Sequence, residues 1–380
     1  MAPLAVVMVA LAALALGGAE GVSLAEESRA VAAVQAAFAA DRTLLADSVR
    51  LTFHDCFESD CDGCIDTSAP QHLGLDAVVS KLDEIHASSS LTMSRADLFA
   101  LAGTVAIRSA ARGGRRDGAP GGGNGGNNHN HHAGRGLESE ADMAAPQGGL
   151  RALQRGGRPG GPGAGRPSGP GGPGGPGGPG RPGGNGTLAT PVLTLKYGRQ
   201  DCNGSPNLKR TMPTGLEGGA ATLEVLTKIG LTSRQAVAVL GGAHGLGQAE
   251  TANSGFLGTW SPRKEFAFTN DFFLTLVRIN WHQRAAPGGK LQWVGATTGQ
   301  GSPFMLNSDM ALAFAIQPTG ALGRDASNCV QGQRGNGCRP ASTRSDVDDF
   351  IASSQALADA FGPGYQIILE LGGSGLTIAQ

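Results

Sequence analysis

The chain has 380 residues, with 30 Lys and Arg against 31 Asp and Glu, for a net charge of −1. So even a balance argues against nucleic acid as the main partner, since no surplus of cations is available to neutralise phosphates. Glycine supplies 62 of the residues and many fall in one stretch, so only part of the length is available to build a core.

The first segment, from Met1-Ala2-Pro3-Leu4, stays apolar to Leu16 and turns small and acidic at Gly17-Gly18-Ala19-Glu20. Residues 1–21 therefore read as a secretory signal peptide cut after Ala19 or Gly21, although its only positive charge is the terminal amine. It holds no Arg or Ser, unlike an organelle transit peptide. No other apolar run is long enough to span a bilayer, so a secreted protein without a membrane span is expected. Six cysteines in an exported chain predict paired disulfides whose connectivity the sequence leaves open. The sequons Asn185-Gly186-Thr187 and Asn203-Gly204-Ser205 fit the same compartment.

Next comes Ser48-Val49-Arg50-Leu51-Thr52-Phe53-His54-Asp55-Cys56-Phe57. Arg50 and His54 are four residues apart, so on a helix they share one face. A cation beside a proton-accepting imidazole is what heterolysis of an O–O bond needs; alone, the same spacing also describes an idle surface pair. Ser94-Arg95-Ala96-Asp97 is a helix-capping signature ahead of an apolar run. Residues 113–190 are rich in Gly, Pro, Asn and Arg, with too little apolar material to offset chain entropy, and are expected to form a disordered insertion. Its Gly triplets are too few for collagen, and its His129, His131 and His132 read as a polar loop ahead of a metal site.

After the insertion, Thr232-Ser233-Arg234-Gln235 caps another apolar run, which ends in Val239-Leu240-Gly241-Gly242-Ala243-His244-Gly245-Leu246-Gly247. One His among very small residues suits the axial ligand of a flat macrocycle. A phosphate loop is excluded because Gln248-Ala249 stands where Lys-Ser/Thr is needed. Ser345-Asp346-Val347-Asp348 opens an amphipathic stretch toward Leu357 and Phe361. Alternating strand patterns are scarce, so the fold is mostly α, with roughly 280 residues forming one large domain or two lobes.

These stretches, with 62–63, 91–107, 197–201, 254–273 and Leu306-Asn307-Ser308-Asp309-Met310-Ala311-Leu312, occur in the order of the plant-type haem peroxidase superfamily, which the chain resembles. The resemblance implies a two-lobed, all-helical fold with haem b between a distal lobe at 22–112 and a proximal lobe at 191–380, the final helix packing back on the distal lobe. It implies His54 as distal acid/base, Arg50 as distal cation and Phe53 as the flat residue over the haem. It further implies His244 as iron ligand and Asp309 as acceptor of its N–H, which gives the imidazole anionic character. Trp260, sixteen residues after His244, falls at the proximal Trp of cytochrome c and ascorbate peroxidases, with simple packing as the alternative. The partners implied are hydrogen peroxide and a small one-electron donor, by default phenolic, acting on a monomer.

Several positions depart from the family. His72 stands where an Asn usually accepts the N–H of the distal His. A neutral His72 can do the same, whereas a protonated one opposes it, so activity is expected to fall steeply in acid. Asp55 and Asp62 match carboxylates of a calcium site of the secreted members, but Cys64 replaces a hydroxyl ligand, so calcium stays open; an EF-hand fails because Ala69 stands at its twelfth position. Cys56 and Cys61 match a bridged pair, Cys329 and Cys338 are expected to pair locally, and Cys64 with Cys202 remains. Asn253 replaces the Arg of the ascorbate site, and Asp47 and Glu250 lack an evident third carboxylate for manganese. The competing reading is an extracellular Gly/Pro-rich matrix protein carrying a non-catalytic peroxidase-like scaffold.

Overall fold

The computed structural model describes residues 21–113, 189–296, 298–299, 301–316, 328–329 (backbone alone) and 338–380. The signal segment apart from Gly21, the bulk of the expected insertion and its His129, His131 and His132 lie outside the described residues.

Helix α1 (Leu24–Ala40) starts where the Ser23 side chain accepts the Glu26 N–H, and it buries Ala30, Val34 and Phe38 at four-residue steps. Helix α2 (Thr43–Ser59) is buried along nearly all of its second half, and α3 (Asp76–Ser88) buries Val78, Val79, Leu82 and Ile85. Helix α4 (Arg95–Gly113) begins as the sequence predicts, with Ser94 Oγ accepting the Asp97 N–H at 3.0 Å. It packs on α2, and the Thr52 hydroxyl of α2 lies 2.7 Å from the Phe99 carbonyl of α4. That contact fixes which face of α2 looks away from the core.

After α5 (Gly219–Thr227), helix α6 (Ser233–His244) opens on a full capping box: Thr232 Oγ1 accepts from Gln235 N at 3.2 Å, and Gln235 Oε1 accepts from Thr232 N at 2.8 Å. The small residues before His244 have a packing reason that the macrocycle argument did not anticipate. A Cβ on Gly242 would lie 2.6 Å from Phe361, and one on Gly241 would lie 2.8 Å from Phe272. The glycines thus admit the aromatic rings of two neighbouring helices against the end of α6.

The chain continues through β1 (Gln248–Ala249), α7 (Thr251–Ser254), β2 (Gly258–Thr259) and α8 (Asp271–Arg278). Then follow β3 (Trp281–Ala285), β4 (Leu291–Val294), β5 (Phe304–Met305), α9 (Asn307–Ala313) and β6 (Asn328–Cys329). Strand β1 pairs antiparallel with β2, and the others form a sheet in the order β5-β4-β3-β6. The fold is mostly α, as expected, but not all-helical. These strands are two to five residues long, too short for alternation to show in sequence.

The final amphipathic stretch is also two helices, α10 (Arg344–Ala352) and α11 (Ser354–Leu369). Ser353 divides them: its extended backbone ends α10, while its hydroxyl accepts the Ala356 N–H at 3.1 Å and starts α11. Helix α11 lies against both α6 and α2. No helix among the described residues is long and apolar enough to cross a membrane.

Asp97 of α4 and Arg199 form a buried ion pair, with Nη1 and Oδ1 2.8 Å apart and both side chains almost wholly buried. Arg199 also donates to the carbonyls of Lys196 and Leu369, each at 2.5 Å, so most of its donors are used. Cys56–Cys61 and Cys64–Cys202 are disulfides; the side chain of Cys329 lies outside the described residues.

Candidate active site

Arg50, His54 and Glu58 follow one another at four-residue steps on α2, so they form one row along the helix. The Arg50 guanidinium donates from Nη1 to Leu73 O at 2.9 Å and from Nη2 to Gln71 O at 2.8 Å. It is thus braced by the two residues that flank His72. His54 is buried, and its Nδ1 lies 3.4 Å from Glu58 Oε2. That same oxygen lies 2.5 Å from His72 Nε2, and His72 Nδ1 lies 2.8 Å from Asp66 O.

The expectation that His72 accepts the N–H of His54 is therefore wrong. The two rings meet edge to face at 5.1 Å, and Glu58 stands between their nitrogens. A carbonyl only accepts, so His72 Nδ1 carries hydrogen. Its other nitrogen faces a carboxylate, which completes an imidazolium–carboxylate pair. Burial opposes charge on both partners, yet their hydrogen bonds outweigh it: Glu58 is held below the usual carboxylate range and His72 is raised. His54 goes the other way. Burial lowers it to about 4, with Arg50 and His72 adding to the effect against the pull of Glu58, so at neutral pH it is an uncharged imidazole.

The second group of residues gathers at the end of α6. His244 Nδ1 lies 2.7 Å from Asp309 Oδ1, and Asp309 Oδ2 accepts from Trp260 Nε1 at 2.6 Å and from Leu306 N at 2.8 Å. The last bond is Asp309 capping its own helix, α9, from the third position. Trp260 stacks on His244 with centroids 4.7 Å apart. With Nδ1 given to the wholly buried Asp309, His244 keeps Nε2 free, on a side chain that is 28% exposed.

The segment after α6 comes against α2, the helix that carries the first group. Gly247, with φ of 100°, follows α6 so closely against α2 that a Cβ there would lie 3.0 Å from Ala46, one turn before Arg50. Phe53 on α2 and Ala243, His244 and Trp260 beyond it are only partly buried, although their chain neighbours Thr52, His54, Gly242 and Gly245 are buried. An aromatic and apolar lining with a free imidazole nitrogen fits a flat iron macrocycle: His244 would ligate the metal through Nε2, while Asp309 orients the ring.

The profile of the family described as Peroxidase matches residues 30–151, which include Arg50, His54 and His72. A mitochondrial cytochrome c peroxidase of Candida albicans is 34% identical over 124 residues, 32% of this chain and 32% of the relative. The corresponding protein of Yarrowia lipolytica is 33% identical over 127 residues, covering 33% and 36%. A peroxisomal protein of Oryza sativa subsp. japonica, named for L-ascorbate peroxidase, is 36% identical over 90 residues, covering 24% and 30%. Over this N-terminal part the chain is similar to peroxidases of the plant-type haem superfamily. The matches span well under half the length of the curated relatives, and the family profile ends before His244, Trp260 and Asp309.

Glu58 is the residue that sequence reasoning missed. The signal was available, since Glu58 is as far from His54 as His54 is from Arg50. The calcium positions fit less well. Asp62 accepts backbone N–H groups on both oxygens, from Cys64 at 3.0 Å and Asn207 at 2.7 Å, and Cys64 is locked in its disulfide. Arg95 places a guanidinium N–H on the Gly63 carbonyl. Asp55 Oδ1 accepts from Gly63 N at 2.9 Å, and Oδ2 is buried without a partner. One uncommitted oxygen falls far short of the roughly six to eight that calcium takes, so these residues do not fit the ion. Burial and the neighbouring Asp62 instead push the Asp55 carboxyl well up, toward its neutral form.

Proposed function

We propose that the protein is a haem b peroxidase that reduces hydrogen peroxide to water and oxidises small one-electron donors, phenols by default. The observation that carries this reading is the pair of differently held imidazoles: His244, given to a carboxylate and free at Nε2, and His54, buried and uncharged beside Arg50. Haem, when bound, supplies an iron centre that takes up two oxidising equivalents from peroxide and passes them on singly. His244 Nε2 is the protein's ligand to it, and Asp309 makes that imidazole a stronger donor.

The chain's own residues handle the protons. His54 Nε2 accepts a proton from the nearer peroxide oxygen and delivers it to the departing one, which leaves as water. Arg50, braced on Gln71 and Leu73, supplies fixed positive charge for the negative charge that develops as the O–O bond breaks. Phe53 and Trp260 supply flat apolar surface, and Trp260 is also a route for electrons, through its bond to Asp309. Calcium has no part in this reading. Export through the residue 1–21 signal and a monomeric state complete the proposal.

Steady-state turnover of the haem-loaded chain with peroxide tests it, against guaiacol, ascorbate, manganese and reduced cytochrome c. A Soret band with guaiacol turnover is the expected result. A Soret band without turnover on any donor would leave the non-catalytic scaffold, and preference for another donor would replace the phenolic assignment.

A further inference from the structure

We infer that Glu58, clamped by His72, is the positioning residue that holds His54 as its Nδ1–H tautomer and so leaves Nε2 as the proton acceptor. This rests on the peroxidase reading and goes beyond it, because the motif that carries that reading assigns nothing to Glu58. A neutral imidazole carries one N–H, and only the nitrogen without it can take a proton. Glu58 Oε2 faces His54 Nδ1 at 3.4 Å, so the hydrogen stays on Nδ1. When His54 takes the proton of peroxide at Nε2, the carboxylate also supports the imidazolium that forms, which a neutral amide does only weakly.

A carboxylate in so buried a place needs a counter-charge and a fixed direction, and His72 provides both. Its Nδ1 is tied to Asp66 O at 2.8 Å, which points Nε2 at Glu58 at 2.5 Å. The loop carrying His72 is held in turn by Arg50 through the Gln71 and Leu73 carbonyls. Glu58, His54 and His72 all lie below one-tenth exposure, so water does not compete for these bonds.

The test uses the full, haem-loaded chain and two rates. One is kcat/KM for peroxide. The other is association of hydrogen cyanide, which binds iron as the anion and so also needs a base to take its proton, without turnover. Glu58→Gln is expected to lower both by about 10- to 100-fold, with wild-type haem content and Soret band and with kcat changed much less than kcat/KM. Wild-type values of both rates in Glu58→Gln overturn the inference, as does a fall in the peroxide rate alone. His72→Phe carries the same test in a chain that keeps Glu58: both rates fall together, or the inference is overturned. Absence of peroxide turnover in the wild type overturns the peroxidase reading instead, while cyanide association still reports on Glu58.

Discussion

Trp260 and His244 share a single carboxylate: Asp309 accepts the indole N–H on one oxygen and the imidazole N–H on the other, at 2.6 and 2.7 Å. Any change in that carboxylate is felt by both rings. Asp309→Asn replaces an anion with a neutral amide that must turn a donor toward one of them. The variant is expected to lose about 10- to 100-fold in peroxide turnover and to show a raised ferric/ferrous midpoint potential. Redox titration and haem retention on gel filtration measure this; an unchanged potential would show that Asp309 only packs.

The pH profile follows from the buried groups. His54 is held near 4, so kcat/KM for peroxide stays level through pH 6.5 and falls only toward pH 4, as Nε2 is taken by a proton. This reverses the steep acid loss expected from His72, whose proton faces Glu58. Stability follows the same groups. A lowered folded pKa means that the contribution of His54, about 3 kcal/mol, is present above the unfolded value of 6.5 and lost as pH falls toward 4. His72 is raised, so its contribution is present below 6.5 and lost as pH rises through its folded value. Urea titrations at successive pH values resolve the two arms.

Asp97→Ala leaves Arg199 charged and buried with carbonyls alone as partners. The expected cost is about 3–5 kcal/mol, read as a shift in the denaturant midpoint. A cost under about 1 kcal/mol is what an exposed pair gives and would contradict the burial described.

Gly242→Ala tests the packing at the end of α6. Its Cβ would meet Phe361 at 2.6 Å, inside van der Waals contact, so either the ring or the helix must shift. A loss of about 1–3 kcal/mol is expected, together with weaker haem retention because His244 lies two residues further on. Gly242→Ala with unchanged haem affinity would separate the glycine from the site.

The sequence was most legible where spacing has one physical meaning. Arg50 and His54 fall on one face because a helix repeats every 3.6 residues, and the structure puts them in that row. Glu58 obeys the same rule, but a helical glutamate is ordinarily a solvated side chain, so spacing alone does not single it out. His72 was noticed for its residue type, but no local pattern shows that a carboxylate from the preceding helix lies between it and His54. The packing role of the glycines before His244 could not be read locally, because Phe272 and Phe361 arrive from distant segments. The break at Ser353 was lost because apolar spacing runs on through it, and only the extended backbone separates α10 from α11.

The Cys64–Cys202 bond joins residues on either side of the 114–188 segment. A protease that nicks the chain anywhere within that segment therefore does not release one half from the other. The fragment with Arg50 and His54 stays covalently tethered to the fragment with His244 and Asp309, and the two part on a denaturing gel only after reduction. The glycine-rich tract can thus be severed as a backbone while the two sides of the site remain one molecule.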